Sequence, residues 1–306
     1  MTNPIYLILA DFFDRYIGEP PEKIHPVVFI GKLICFFENV FKSTNSVNKT
    51  RDLLFGFLNV ILVLAIVFFM TYEIEQIINS ISNSYIKISI YSIILSFSIG
   101  HKSLIEFSKA PIKFIVNNDL EGAKKSVQCI VSRNTSELDK KHILSASIES
   151  ASENITDSII APLIYAAIFG LPGAFLYRAV NTFDAMIGYK SEKYQYYGKT
   201  AAYLDDILNF IPSRIAGMLL IISAPFYGGN IKSAIYGYFN EGNKTPSPNS
   251  GYTMATLANS LNMELEKIGY YKLGKGEITI EKALNSLKAV DYSVLLFLII
   301  YTVLLM

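Results

Sequence analysis

The sequence predicts an all-α, polytopic integral membrane protein with re-entrant or broken helices and a polar site on its cytoplasmic face. Three observations carry that reading. The 306 residues are 51% hydrophobic and 17% charged, with a mean hydropathy of +0.35, whereas soluble domains carry about 25% charged residues. The run 53–70, LLFGFLNVILVLAIVFFM, approaches the ~20 apolar residues that a helix needs to cross a bilayer. The stretch 148–190 runs through an apolar segment broken by Pro162, Gly170, Pro172 and Gly173, with dense ionisable groups at both ends. Charges beside apolar segments are expensive and mark sites. The chain reads as a single membrane-embedded domain over 1–306.

Composition also excludes. A net charge of +1 gives no electrostatic footprint for nucleic acid. Cys35 and Cys129 fit no metal or redox spacing and read as inert thiols. Three histidines do not suit a multi-histidine metal site, and no Ser-His-Asp or Cys-His arrangement is apparent. The N-terminus lacks the basic lead of a signal peptide, and Asp11 and Asp14 follow its short apolar stretch.

Residues 4–13 are apolar but cover half a span, and the helix continues through Asp14 and Arg15. Gly18, Glu19, Pro20 and Pro21 stop it, and His25-Pro26 opens an apolar run over 27–41. After the span at 53–70, a weaker candidate lies at 85–100, across a loop at 72–84 that holds Glu73 and Glu75. Basic residues Arg15, Lys23, Lys32, Lys42, Lys49 and Arg51 precede the first span, and Lys102 to Lys141 follow the second. The positive-inside rule therefore places 72–84 outside and 101–157 in the cytoplasm. Segments 158–177 and 207–227 are apolar enough to span, yet basic residues follow each: Arg178, Lys190, Lys193 and Lys199, then Lys232 and Lys244. Re-entrant helices resolve that conflict, because broken backbone at membrane depth is tolerated inside protein; two true crossings are the other solution. The run 290–306 anchors the C-terminus, interrupted by Asp291.

Glu149, Glu153 and Asp157 stand at four-residue spacing and form one acidic stripe on a helix predicted over 137–155 and its continuation. Like charges at i,i+4 cost about 0.2–0.5 kcal/mol per pair, so the stripe calls for cations: a Mg²⁺ bridging to substrate phosphates, or Arg and Lys from elsewhere. The alternative is a solvated acidic face. Asn154 lies beside the stripe. Arg178, Asn181 and Asp184 share a helix face at i,i+3, with Lys190 at the helix end. Asp205 and Asn209 stand at i,i+4 beside Asp206, with Pro212 and Arg214 beyond. The turn VSRNT delivers Arg133, with Ser132 or Thr135 as an N-cap candidate. The loop SPNSG, with Ser247 and Asn249, offers backbone N–H groups to an anion ahead of a helix near Tyr252. Carboxylates, Arg, Lys and small-residue loops suit metal-assisted chemistry on a phosphorylated substrate.

The strings DRYIGEPPEKIHPVVFIGKLI, VSRNT, IESASEN with Asp157, APLIY, GLPGAFLYRAVNTFDAMIGYK, DDILNFIPSR and SPNSG occur in order over residues 11 to 265. Together they resemble the CobD/CbiB family, the adenosylcobinamide-phosphate synthases of cobalamin biosynthesis. The resemblance implies a multi-pass enzyme of the cell membrane, in contact with lipid, its active site facing the cytoplasm. It implies ATP-dependent joining of adenosylcobyric acid to aminopropanol phosphate, or an ethanolamine-type amine, through an amide bond, with Mg²⁺ as cofactor and the corrinoid as substrate. It maps catalytic roles onto Glu149, Glu153, Asp157, Lys190, Asp205 and Asp206, the first three also as Mg²⁺ ligands. Substrate and phosphate binding fall on Asp14, His25, Arg133, Thr135, Asn154, Arg178, Asn181, Asp184, Asn209, Arg214, Ser247 and Asn249. Asn134, Tyr203 and the Lys244-Thr245-Pro246 lead-in depart from the family pattern. A non-catalytic membrane sensor or transport module for a corrinoid or nucleotide is the competing class, and amide product formation discriminates the two. The amino-alcohol and the oligomeric state are left open by the sequence.

Overall fold

The structure, a computed structural model, describes residues 1–41 and 48–306; Lys42 lies outside the described residues. In chain order the helices are α1 (Pro4–Tyr16), α2 (Pro26–Phe41), α3 (Lys49–Asn79), α4 (Ser84–Ser96), α5 (His101–Val116) and α6 (Leu120–Gln128). They continue as α7 (Lys140–Ile155), α8 (Ala161–Ile187), α9 (Lys199–Ser223), α10 (Ile231–Glu241), α11 (Ser250–Ser260) and α12 (Ile280–Leu304). A π-helical turn, Thr156–Ile160, links α7 to α8. Strands β1 (Glu264–Lys267) and β2 (Tyr271–Gly274) form an antiparallel hairpin that an all-α reading does not include.

Among the described residues, five helical stretches are long and apolar enough to cross a membrane: Lys49–Asn79, Ser84–Val116, Lys140–Ile187, Lys199–Tyr227 and Ile280–Leu304. The chain is a multi-pass membrane protein. It divides into two compact units, one of residues 1–100 and 161–209, the other of 101–160 and 210–306.

In the first unit, α3 outruns the predicted span at its C-terminal end. Glu73 and Glu75 are helical, and the expected loop at 72–84 shrinks to residues 80–83. Two local interactions account for this. The Tyr91 hydroxyl donates to Glu75 Oε1 at 2.8 Å, and the Asn83 side chain accepts from the Tyr85 and Ile86 N–H groups to start α4 at once.

The predicted break in the 158–177 segment is a reversal. Gly170 has φ 69° and ψ −154°, a region open essentially to glycine alone. Pro172 then falls in the first turn of the second arm, where its missing N–H costs nothing. The Tyr165 and Tyr177 rings stack at 5.2 Å, whereas twelve residues of straight helix would separate them by about 18 Å. A Cβ at Gly173 would fall against the Tyr165 carbonyl oxygen. Ala161–Phe169 and Leu171–Ile187 therefore run back along each other. The fold-back fits a re-entrant segment and equally two crossings joined by a tight turn.

Tyr165 does a second job. Pro212 in α9 leaves the Leu208 carbonyl without its helical donor, and the Tyr165 hydroxyl supplies one at 2.9 Å. Tyr165→Phe orphans that carbonyl, and thermal unfolding in detergent should show a loss of about 1–3 kcal/mol; an unchanged melting curve would contradict this role.

In the second unit the helix predicted over 137–155 starts at Lys140. Asp139, not Ser132 or Thr135, caps it by accepting from the His142 N–H at 2.9 Å. Asp291 within α12 is met by His101 Nε2 at 3.0 Å, which accommodates a charge the sequence left exposed to the apolar run. Glu241, at the end of α10, ties the hairpin down. It accepts from the Gly274 N–H at 2.7 Å, Asn259 Nδ2 at 2.8 Å and Lys244 Nζ at 2.8 Å. Burial works against ionisation there, but Lys244, the Gly274 N–H and Asn259 hold the carboxyl below its usual value. Its stabilisation is therefore present above the ordinary glutamate range, ~4.3, and is lost as pH falls through the lowered value. Glu241→Gln should melt earlier than the wild type at neutral pH, with the gap closing in acid, followed by far-ultraviolet circular dichroism. A gap that persists at low pH would contradict it.

Candidate functional site

The two units each carry a polar cluster. In the first unit, three carboxylates gather where the second arm of α8 ends and α9 begins. Asp184, on the last turns of α8, lies in electrostatic range of Asp205 and Asp206 in the first turns of α9, and Lys190 in range of Asp206. Asn209 Nδ2 donates to Asp205 Oδ2 at 3.0 Å, and Asn209 Oδ1 accepts from the Tyr177 hydroxyl at 2.7 Å. Asp205 Oδ1 is shut off from solvent with no donor in hydrogen-bond geometry. Arg178 Nη1 donates to Asn181 Oδ1 at 3.3 Å one turn above Asp184. Gly188 leaves room for the Asp184 carboxylate, against which a Cβ would collide, and Lys190 is exposed just past the helix end. The structure thus joins residues that the sequence showed as two separate runs: Asp184 and Lys190, Asp205, Asp206 and Asn209. Three carboxylates at the ends of apolar helices are costly unless a cation joins them.

In the second unit, the acidic stripe divides. Glu149 is buried and fully served. Its Oε1 accepts from the Ser145 hydroxyl at 2.6 Å, its Oε2 accepts from the Tyr271 hydroxyl at 3.0 Å, and Arg133 Nη2 lies 3.1 Å from Oε2. Burial, and after it the Glu149 carboxylate, push the Tyr271 phenol well above its usual value, so it stays the donor. Glu153 and Asn154 line a hollow beside Arg133, although Asn154 Nδ2 donates back to the Ser150 carbonyl at 2.9 Å. Asp157 falls on the π-turn, a feature that recurs at functional sites. Among the described residues, no three His, Cys, Asp or Glu side chains are grouped to hold a metal ion. A Mg²⁺ shared by all three stripe carboxylates therefore does not fit, since Glu149 already spends both oxygens on protein donors.

Other candidates hold loops. The Thr135 hydroxyl bonds the Lys124 carbonyl at 3.1 Å and Gln128 Oε1 at 3.0 Å, fixing the turn before α7. Arg214 Nη1 donates to Asn249 Oδ1 at 2.9 Å and Nη2 to the Pro248 carbonyl at 3.2 Å, with the guanidinium between the Phe210 and Tyr252 rings. Ser247 Oγ accepts from the Asn249 and Ser250 N–H groups at 3.2 and 3.4 Å, so two of the donors expected for an anion are already engaged. Asp14 is buried on α1. His25 Nδ1 accepts from the Val27 N–H at 3.1 Å, which makes Nε2 the donor to Glu19 Oε2 at 3.3 Å. His25 lines an apolar hollow of about 430 Å³ that contains none of the other candidates. Sequence reasoning missed Ser145, Tyr177, Lys267 and Tyr271; Ser145 alone had a signal, four residues before Glu149 on the same helix face.

A family model described as CobD/Cbib protein matches residues 7–298. The chain belongs to the CobD/CbiB family. It is 92% identical over all 306 residues of both chains to a probable cobalamin biosynthesis protein CobD of Methanococcus maripaludis. It is 64% identical to the protein of that description from Methanocaldococcus jannaschii, covering 99% of this chain and 98% of the relative. A cobalamin biosynthesis protein CobD of Dehalococcoides mccartyi is 35% identical over 88% of this chain and 86% of its own. No solved structure matches the chain. Membership of the CobD/CbiB family supports a role in cobalamin biosynthesis for this multi-pass protein.

Proposed function

We propose that the chain catalyses ATP-dependent amide formation between the carboxyl group of adenosylcobyric acid and the amine of aminopropanol phosphate or a related ethanolamine-type amino-alcohol, at the cytoplasmic face of the membrane. The cluster of Asp184, Asp205 and Asp206 carries the reading. An amino-alcohol arrives as an ammonium ion, which three carboxylates in electrostatic range of one another attract. The carboxylate oxygen of the corrinoid acid attacks the terminal phosphorus of ATP, and ADP leaves. The amine nitrogen, having given a proton to an aspartate, then attacks the acyl carbon, and phosphate departs with the C–O bonding pair. Asp205, one oxygen of which accepts from Asn209 Nδ2, is the proton acceptor. Lys190 and Arg178 neutralise developing negative charge near it.

A Mg²⁺ bound with the nucleotide would supply neutralisation of phosphate charge, and one or two carboxylates would suffice to hold it. Glu153, which lines the hollow beside Arg133, would be the stripe residue to hold it, while Glu149 holds Arg133. The test is incubation of the purified full chain with a corrinoid acid and an amino-alcohol phosphate. Amide product that requires both ATP and Mg²⁺ is expected. Substrate binding without product would move the chain to the non-catalytic class.

A further inference from the structure

The apolar hollow at His25 lies wholly within the first unit and measures about 430 Å³. Three membrane-spanning stretches supply its walls: Val67 and Thr71 of α3, Ile94 and Phe97 at the end of α4, Leu171 and Phe175 of the second arm of α8. The turn before α2 and the first residues of that helix form the fourth side. Thr71 turns its hydroxyl to the Val67 carbonyl at 2.7 Å, so the walls offer a ligand methyl, methylene and ring surface. His25 has both ring nitrogens engaged, by the Val27 N–H and by Glu19. Lys23 and Lys32 also line the hollow, and both are exposed, which puts them at its mouth. Among the described residues neither lysine is in an ion pair or a hydrogen bond. No carboxylate lines the hollow; Glu19 and Glu22 lie outside the lining.

An apolar hollow of this kind holds no water, and beside spanning helices the apolar material at hand is lipid tail. Lysines at the edge of such a hollow attract an anionic headgroup, and their long stems carry the charge to it. Apolar walls with two unanswered positive charges at the mouth complement an amphiphile, a hydrocarbon chain that ends in an anion. A small phosphorylated solute would leave those walls uncovered.

We propose that this hollow binds an anionic membrane lipid, with one chain between α3, α4 and the second arm of α8 and the headgroup on Lys23 and Lys32. The inference goes beyond the amide-forming reading and does not depend on it.

The chain contains no tryptophan, so Phe97→Trp sets a single fluorescent reporter in the wall of the hollow. Ile61→Trp sets one at an exposed position of α3 outside it. The test is quenching of each full-length protein in phosphatidylcholine vesicles by phosphatidylglycerol or phosphatidylcholine brominated on the tails. In Phe97→Trp the anionic lipid should quench at a mole fraction at least tenfold lower than the zwitterionic one. In Ile61→Trp the two should act within twofold of each other. Adding Lys23→Glu or Lys32→Glu to Phe97→Trp should cut the preference by about fivefold each, the worth of a lysine at an anionic headgroup. Lys87→Glu, on α4 and outside the hollow, should leave it within twofold. Where Phe97→Trp does not fold, native mass spectrometry carries the test: the wild type should retain phosphatidylglycerol and the two lysine variants should lose it. No preference in Phe97→Trp, an equal preference in Ile61→Trp, or no lipid retained by the wild type would overturn the proposal. Displacement of the quencher by a corrinoid acid or by aminopropanol phosphate would overturn it too, by making the hollow a substrate site.

Discussion

Asp205→Asn should lower kcat for amide formation by about 10²–10⁴-fold, the range a positioned general base contributes, while KM for the corrinoid acid stays within a few-fold. The replacement keeps the size of the side chain and can keep a bond to Asn209, whose partner Tyr177 holds it from the other side at 2.7 Å. What it removes is the capacity to accept a proton from the amine. A loss confined to kcat identifies an interaction made in the transition state. Asp184→Asn and Asp206→Asn should raise KM for the amine instead, because they reduce the attraction for its ammonium form. Rates equal to the wild type in Asp205→Asn would remove this residue from the chemistry.

The second large effect is structural. Gly173→Ala places a methyl against the Tyr165 carbonyl and the Phe169 Cβ, backbone and near-backbone atoms that cannot rotate away. Overpacking of this kind costs about 1–3 kcal/mol. Gly170→Ala adds about 1–3 kcal/mol of backbone strain and brings a methyl onto the Glu75 carboxylate. Either variant should melt several degrees below the wild type in detergent, and the pair together should fail to accumulate folded protein. Gly31→Ala is the control, since its added methyl meets only the flexible Met186 side chain, sulfur at 3.4 Å. Equal melting of all three would mean that the two arms of α8 are not pressed together as described.

Much of this fold was legible because the membrane writes its constraints locally. The apolar run at 53–70 and the break at Gly170, Pro172 and Gly173 state their consequences within a few residues. The end of α3 was misread for a physical reason: two glutamates after an apolar run look like a loop. A tyrosine sixteen residues further on, Tyr91, lets Glu75 stay helical. Helical spacing found the carboxylates of the site but not their meeting, since Asp184 and Asp205 come together only because α8 and α9 are joined by the turns at 188–198. The part of the stripe that became a clamp was illegible. Glu149 is defined by Arg133, by Ser145 and by Tyr271, the last 122 residues away in the chain, and four-residue strands leave little period to read.

The proposed reaction requires that ATP activate the corrinoid carboxyl before the amine attacks. A corrinoid acid carrying ¹⁸O in its reacting carboxyl, incubated with amino-alcohol phosphate, ATP and Mg²⁺, tests this directly. One labelled oxygen is predicted to appear in the inorganic phosphate released as the amide forms. Amide formed with no label in phosphate would contradict the account.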